Sequence, residues 1–136
     1  ARRLALRALE RQGTVRMEDV GVPRARVPDL LRAIERITVA HGVRCATFGH
    51  AGDGNLHPNF IFDRDDPDAP ELTHLVRDEI FRAALDLGGT VTAEHGIGAA
   101  RREWLPVQHG EGAVAVMRAI KAALDPQGIL NPGRVL

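Results

Sequence analysis

The chain has 136 residues, 44% hydrophobic and 26% charged, which is enough for a globular domain with a hydrophobic core. Its 18 Lys and Arg residues balance its 18 Asp and Glu residues, so no net basic field is offered to nucleic acid and no net acidic field to a polycation. Four Phe, one Trp and no Tyr leave few rings on which the bases of a single strand could stack.

The first half of the chain alternates helical and strand patterns. Helices are indicated by apolar residues at three-to-four spacing, and strands by short β-branched or apolar runs that end at Gly or Pro. Residues 49–56 hold three glycines and predict a loop. The predicted elements are a helix ending near Gly13, a strand at 18–22, a helix at 28–41, and strands at 43–48 and 59–62.

The second half begins with turn-forming Asp and Pro residues over 63–70. A helix is predicted over 71–87, ended by Gly88 and Gly89, followed by a brief strand at 90–92. A last helix is predicted over 111–124, and the tail 128–136 is predicted to be irregular.

The order strand, helix, strand, strand, helix, strand predicts an α+β, ferredoxin-like split βαβ fold, with an antiparallel sheet and helices on one face. We expect residues 1–136 to form one such domain, with the C-terminal helix and tail added. This topology brings His50, His57 and Glu94 to one edge of the sheet. The second and fourth strands are the outer ones, about 14 Å apart at about 4.8 Å per strand. The sheet must therefore curl, or the loops must lean inward, for the three to meet.

Two histidines flank the predicted glycine-rich loop in Gly49-His50-Ala51-Gly52-Asp53-Gly54-Asn55-Leu56-His57. A tight connection brings its two ends close, so that both imidazoles can reach one zinc-like ion. Asp53 and Asn55 favour the turn and could also act as ligands. The alternative is a hairpin loop with two ordinary histidines.

The second motif is Thr92-Ala93-Glu94-His95-Gly96-Ile97-Gly98. Glu94 could complete a site of two histidines and one carboxylate, and His95 has an imidazole suited to general base work. The alternative is a strand-to-helix turn with an acid near a helix start. The third motif, from Leu124 to Arg134, predicts a helix stop followed by two turns.

FGHAGDGNLHPN, GGTVTAEHGIG and ALDPQGILNPGR, in this order, resemble the C-terminal domain of FAD-linked oxidases. This family holds glycolate oxidase subunits, D-lactate dehydrogenases and D-2-hydroxyglutarate dehydrogenases. MEDVGVPRARVPDLL also resembles the family's strand and helix before the first motif. The chain starts with Ala inside a periodic pattern, and we interpret it as the substrate-side part of a longer oxidase whose FAD-binding domain is absent from this chain.

The resemblance implies a role for each of seven residues. It implies a divalent metal, expected to be zinc, on His50, His57 and Glu94, with His95 as the base that removes the substrate hydroxyl proton. It implies that Asn59 contacts the substrate and that Arg2 binds the substrate carboxylate. It also implies that Asn131 lies near the flavin.

The implied reaction oxidises a 2-hydroxy acid to a 2-oxo acid with FAD. Met17 stands where some relatives carry a lysine for a second carboxylate, which favours glycolate or D-lactate over 2-hydroxyglutarate. The expected partners are this substrate and the FAD-binding domain or sister subunits. The chain alone is expected to be inactive. A metal-dependent hydrolase and a non-catalytic ferredoxin-like binding module stay open as alternatives.

Cys45 is the single cysteine, so an internal disulfide is impossible and a reducing compartment is expected. No signal peptide or apolar run of about 18 residues is visible. We expect a cytoplasmic location and no transmembrane segment, with peripheral attachment to the inner membrane through electron-acceptor partners left open.

Overall fold

In a computed structural model that describes residues 4–136, the chain divides into two compact units, the first ending at Ala93 and the second comprising Glu94–Leu136. The first unit contains three helices and the sheet, and the second contains two helices and the tail. The helices of the first unit are α1 (Ala5–Glu10), α2 (Val27–Ala40) and α3 (Ala69–Asp86), and its strands are β1 (Thr14–Met17), β2 (Val20–Gly21), β3 (Arg44–His50) and β4 (Asn55–Phe62).

Strand β4 lies at the centre of an antiparallel sheet. It pairs with β3 on one side and with both β1 and β2 on the other, and Gly21 forms an isolated antiparallel bridge with Thr90. Counting β1 and β2 as one strand, this is the strand order of the split βαβ fold, and the predicted α+β class is confirmed.

Strands β1 and β2 are two parts of one extended segment in a single register. Met17 pairs with Asn59 and Val20 pairs with Leu56, so no residue is inserted or deleted between these pairs on either strand. Pro58 has no N–H to donate, and only its carbonyl takes part, accepting from Glu18 N at 2.9 Å. The ladder is therefore interrupted at Pro58 without a change of register.

Helices α2 and α3 pack on each other and against the sheet. Cys45 and Thr47 of β3 face α2, with whose residues they line a groove. The core between these layers includes fully buried side chains that contribute about 1.5–3 kcal/mol each by leaving water. They include Leu30, Phe60, Val76, Ile80 and Phe81.

The second unit contains α4 (Trp104–His109) and α5 (Glu111–Leu124). Trp104 is buried. Asp125 ends α5 and organises the tail, because its carboxylate accepts from Ile129 N at 2.9 Å and Leu130 N at 3.0 Å, and from Lys121 Nζ. The hydrogen bond from Lys121 is the main cause that lowers the pKa of Asp125.

Four local predictions differ from the structure. The strand predicted over 18–22 is reduced to β2, and β1 lies before it in a segment where no strand was predicted. The strand predicted from Asn59 begins at Asn55, so the loop after His50 is a short turn. The strand predicted over 90–92 is only the bridge at Thr90, and beyond it Ala93 N bonds a carboxylate instead of a strand carbonyl. Helix α4 was not predicted. Within residues 4–136 no helix is long and apolar enough to cross a membrane.

Candidate functional site

The two motif histidines lie on the sheet face opposite α2. His50 ends β3 and pairs with Asn55, two residues before His57 on β4, so period-2 alternation places both imidazoles on one face. This is the face opposite the one on which Cys45 and Thr47 meet α2. The two rings border a recess of about 450 Å³, which is also lined by Ala5, Leu6, Phe48 and Gly49.

The imidazoles of His50 and His57 are close enough to share an ion. Their ring centroids are 5.6 Å apart with planes at 89°, and one nitrogen of each ring lies within 4.8 Å of the other. Zinc–nitrogen bonds of about 2.0–2.1 Å at a tetrahedral angle would place two ring centres about 5 Å apart. The pair is thus within about half an ångström of a two-imidazole arrangement.

The turn between β3 and β4 fixes this pair. Gly54 has φ +78°, and a Cβ there would stand 2.0 Å from the carbonyl oxygen of Val22. Its own carbonyl accepts from Val22 N at 2.9 Å. Only glycine combines this left-handed conformation with so close an approach. Of the glycines predicted to shape the loop, Gly54 is therefore required by the backbone geometry.

A third side chain on this face is Asp19, which sequence reasoning missed. It is fully buried, and the common register of β1, β2 and β4 sets it directly across from His57. Asp19 Oδ1 lies 3.8 Å from His57 Nδ1. Its Oδ2 accepts from Thr92 Oγ1 at 2.6 Å and from Ala93 N at 2.9 Å. The sequence offered one signal for this contact: Asp19 lies on the first strand and His57 on the third, and these two strands are neighbours in a split βαβ sheet.

Asn59 lies on the same face, two residues beyond His57, and is fully buried. Its Nδ2 donates to Ala46 O at 3.0 Å and to His57 O at 2.7 Å, and two carbonyl acceptors fix the amide orientation. Its Oδ1 has no hydrogen-bond partner among residues 4–136. That oxygen is a buried acceptor on the face that carries His57.

The second unit begins with the other predicted pair, Glu94 and His95. A Glu94 oxygen lies 3.7 Å from His95 Nε2, and both side chains are roughly half exposed. The following turn is held by Arg101, which donates to Gly96 O at 3.1 Å. The acid and the proposed base are therefore near each other and open to a ligand.

The last two predicted site residues are Asn131 and Arg2. Asn131 is exposed, adopts φ +46°, and its carbonyl accepts from Arg134 N at 3.1 Å in a tail turn. Arg2 lies outside the described residues. Both roles stay predictions.

The chain is thus an α+β domain with a split βαβ sheet and a histidine pair on the sheet face opposite α2. The family model for FAD linked oxidases, C-terminal domain, matches residues 1–135. The chain therefore belongs to this family, and the resemblance drawn from its three motifs is confirmed.

Curated relatives agree with this assignment. The chain is 43% identical over 136 residues to glycolate oxidase subunit GlcD of Bacillus subtilis (strain 168), covering 99% of the chain and 29% of that protein. It is 37% identical over 118 residues to a probable mitochondrial D-lactate dehydrogenase of Danio rerio, covering 87% and 24%. It is 34% identical over 125 residues to D-2-hydroxyglutarate dehydrogenase of Stutzerimonas stutzeri (strain A1501), covering 86% and 26%. The chain spans less than a third of the length of these relatives.

Proposed function

We propose that this chain is the C-terminal, substrate-side domain of a flavin-dependent enzyme that oxidises a 2-hydroxy acid to the 2-oxo acid. The observation that carries the proposal is the pair of perpendicular imidazoles, His50 and His57, on the sheet face opposite α2 in a member of the FAD-linked oxidase family. The relatives' names supply the substrate class, since they include a glycolate oxidase subunit and a D-lactate dehydrogenase.

We propose that His50, His57 and Glu94 hold one divalent cation, expected to be zinc. The donor set suits that metal, and the separation of the two rings is compatible with a shared ion. Chain connectivity supports the third ligand: Ala93 N bonds the same Asp19 carboxylate that faces His57, and Glu94 is the next residue. The identity of the metal and the identity of its three ligands are therefore proposed together.

Each of the other predicted site residues has a separate proposed role in the reaction. A bound cation would supply positive charge that favours loss of the hydroxyl proton, and FAD would accept the two electrons. His95 takes the proton from the substrate hydroxyl. Asn59 is proposed to contact the substrate, and two carbonyl acceptors fix the orientation of its amide. Arg2 is proposed to bind the carboxylate, and Asn131 to lie beside the flavin.

The substrate side of the sheet favours a small monocarboxylate. Met17 pairs with Asn59 across β1 and β4, so its thioether lies on the face that carries His57. An apolar group there offers no charge to a second carboxylate. We therefore propose glycolate or D-lactate rather than 2-hydroxyglutarate as the substrate. Separately, the lone cysteine is in keeping with a proposed cytoplasmic location.

The test is turnover of glycolate and D-lactate by the full-length protein with a dye as electron acceptor. General bases contribute about 10²–10⁴-fold, so His95→Ala should lower kcat by that order. The exposed His74 on α3 provides the matched control, His74→Ala, which should keep full activity. Near-normal turnover by His95→Ala contradicts the base assignment. Zinc-stimulated ester or lactone hydrolysis by the chain without flavin would instead favour the hydrolase.

A further inference from the structure

We infer that Asp19 is a positioning residue for the proposed metal site: it fixes the tautomer of His57 and anchors the two residues that precede Glu94. This inference rests on the proposed function, because it concerns how two of the three proposed ligands are held. It adds a residue that none of the three sequence motifs contains. Asp19 itself is not proposed to touch substrate or metal.

The first support is the sheet register. Met17 faces Asn59 and Val20 faces Leu56, and no residue is inserted or lost between them. Asp19 must therefore oppose His57, and directly opposed side chains of an antiparallel pair share one face. The backbone, rather than a chance rotamer, puts this carboxylate beside this imidazole.

The second support is electrostatic. Asp19 is fully buried, and its Oδ1 is 3.8 Å from Nδ1 of His57, which is longer than the ~3.2 Å of a normal N–H···O hydrogen bond but within ion-pair range. In a buried site a carboxylate repels the lone pair of a nitrogen and attracts its proton. This field favours the tautomer that carries its proton on Nδ1, which leaves the Nε2 lone pair for a cation. Metal-binding histidines are commonly oriented by a carboxylate in this way.

The third support is the other carboxylate oxygen. Oδ2 accepts from Thr92 Oγ1 at 2.6 Å and from Ala93 N at 2.9 Å. These bonds hold the two residues that lie after the bridge at Thr90 and directly before Glu94. One carboxylate thus faces His57 with one oxygen and fixes the approach to Glu94 with the other.

The diagnostic variant is Asp19→Asn, which keeps the side-chain size. If its amide oxygen accepts from Thr92 and Ala93, its NH₂ group points at Nδ1 of His57. That nitrogen must then accept, and the ring proton moves to Nε2, which can no longer bind a cation. If the amide turns the other way, NH₂ meets the donors of Thr92 and Ala93, and the anchor is lost. Either orientation weakens the site.

The experiment compares the 136-residue chain with Asp19→Asn and with Asp86→Asn, a control at an exposed aspartate near the end of α3. Cobalt and zinc affinities are measured by calorimetry, and the His57 tautomer of the metal-free chain by ¹⁵N NMR. We expect Asp19→Asn to bind 10–100-fold more weakly and to shift the ring proton from Nδ1 to Nε2. Asp86→Asn should match the wild type in both measurements.

Each outcome decides a different statement. If the wild type binds metal and Asp19→Asn binds within about threefold with an unchanged tautomer, the inference is wrong and the proposed function stands. If the wild type binds no metal, the proposed site and the inference fail together. If Asp19→Asn does not fold by circular dichroism, the wild-type spectrum decides: an Nδ1 proton on His57 supports the inference, and an Nε2 proton overturns it.

Discussion

Gly54, in the turn between β3 and β4, allows a prediction whose magnitude follows from the structure. An alanine there must adopt φ +78°, which costs about 1–2 kcal/mol for a residue with a Cβ. That Cβ would also stand 2.0 Å from the carbonyl oxygen of Val22, so the backbone must move. Displacing the bond from Val22 N to Gly54 O removes about 0.5–1.5 kcal/mol more. We expect Gly54→Ala to lower the free energy of unfolding by about 1.5–3.5 kcal/mol.

The same turn offers a matched control. A Cβ at Gly52 meets no atom within 4 Å, and its φ is not in the left-handed region. Gly52→Ala should therefore change the free energy of unfolding by less than about 0.5 kcal/mol. Urea denaturation of both variants measures the difference, and zinc affinity should fall with Gly54→Ala because the turn sets the His50–His57 separation. Equal stability of the two variants would refute this account of the turn.

Three further predictions concern groups outside that turn. Because the pKa of Asp125 is lowered in the folded chain, chiefly by Lys121, its stabilisation is present above the usual carboxyl pKa near ~4 and is lost as pH falls through the folded value. Denaturation measured between pH 7 and pH 2.5 should show this loss, and Asp125→Asn should be less stable at pH 7 with a flatter profile. Burial raises the pKa of the Cys45 thiol, so iodoacetamide at pH 8 should alkylate the folded chain more slowly than the urea-unfolded chain, as mass spectrometry would show; equal rates would contradict the burial of the thiol. Met17→Lys in the full-length protein should raise kcat/KM for 2-hydroxyglutarate relative to D-lactate, and an unchanged ratio would contradict the specificity proposal.

The sheet topology could be predicted because most of the helices and strands carry a local signal. Apolar spacing and terminal glycines define α2 and α3, and the order of elements then restricts the sheet to the split βαβ arrangement. The His50 and His57 pair followed from the same reasoning, since a tight hairpin brings its ends together. Short-range chemistry and topology were sufficient for these features.

What could not be predicted depends on long-range contacts. Asn55 looks like a turn residue, but it pairs with both His50 and Gly21, so β4 begins earlier than its sequence indicates. Asp19 in Met-Glu-Asp-Val is an ordinary polar residue until the register sets it opposite His57. The fourth strand also ends in a long-range contact that the sequence does not show, between the N–H of Ala93 and the Asp19 carboxylate. Helix α4 is only six residues long and includes Pro106 in its first turn, which weakens its helical signal.

X-ray absorption at the zinc edge, on the chain loaded with one equivalent of zinc, tests the shared-ion site most directly. We predict scattering from two imidazoles with zinc–nitrogen distances of about 2.0–2.1 Å, and one imidazole fewer in His57→Ala. A spectrum without imidazole scattering, or one that is the same in His50→Ala and His57→Ala as in the wild type, would contradict the proposed site.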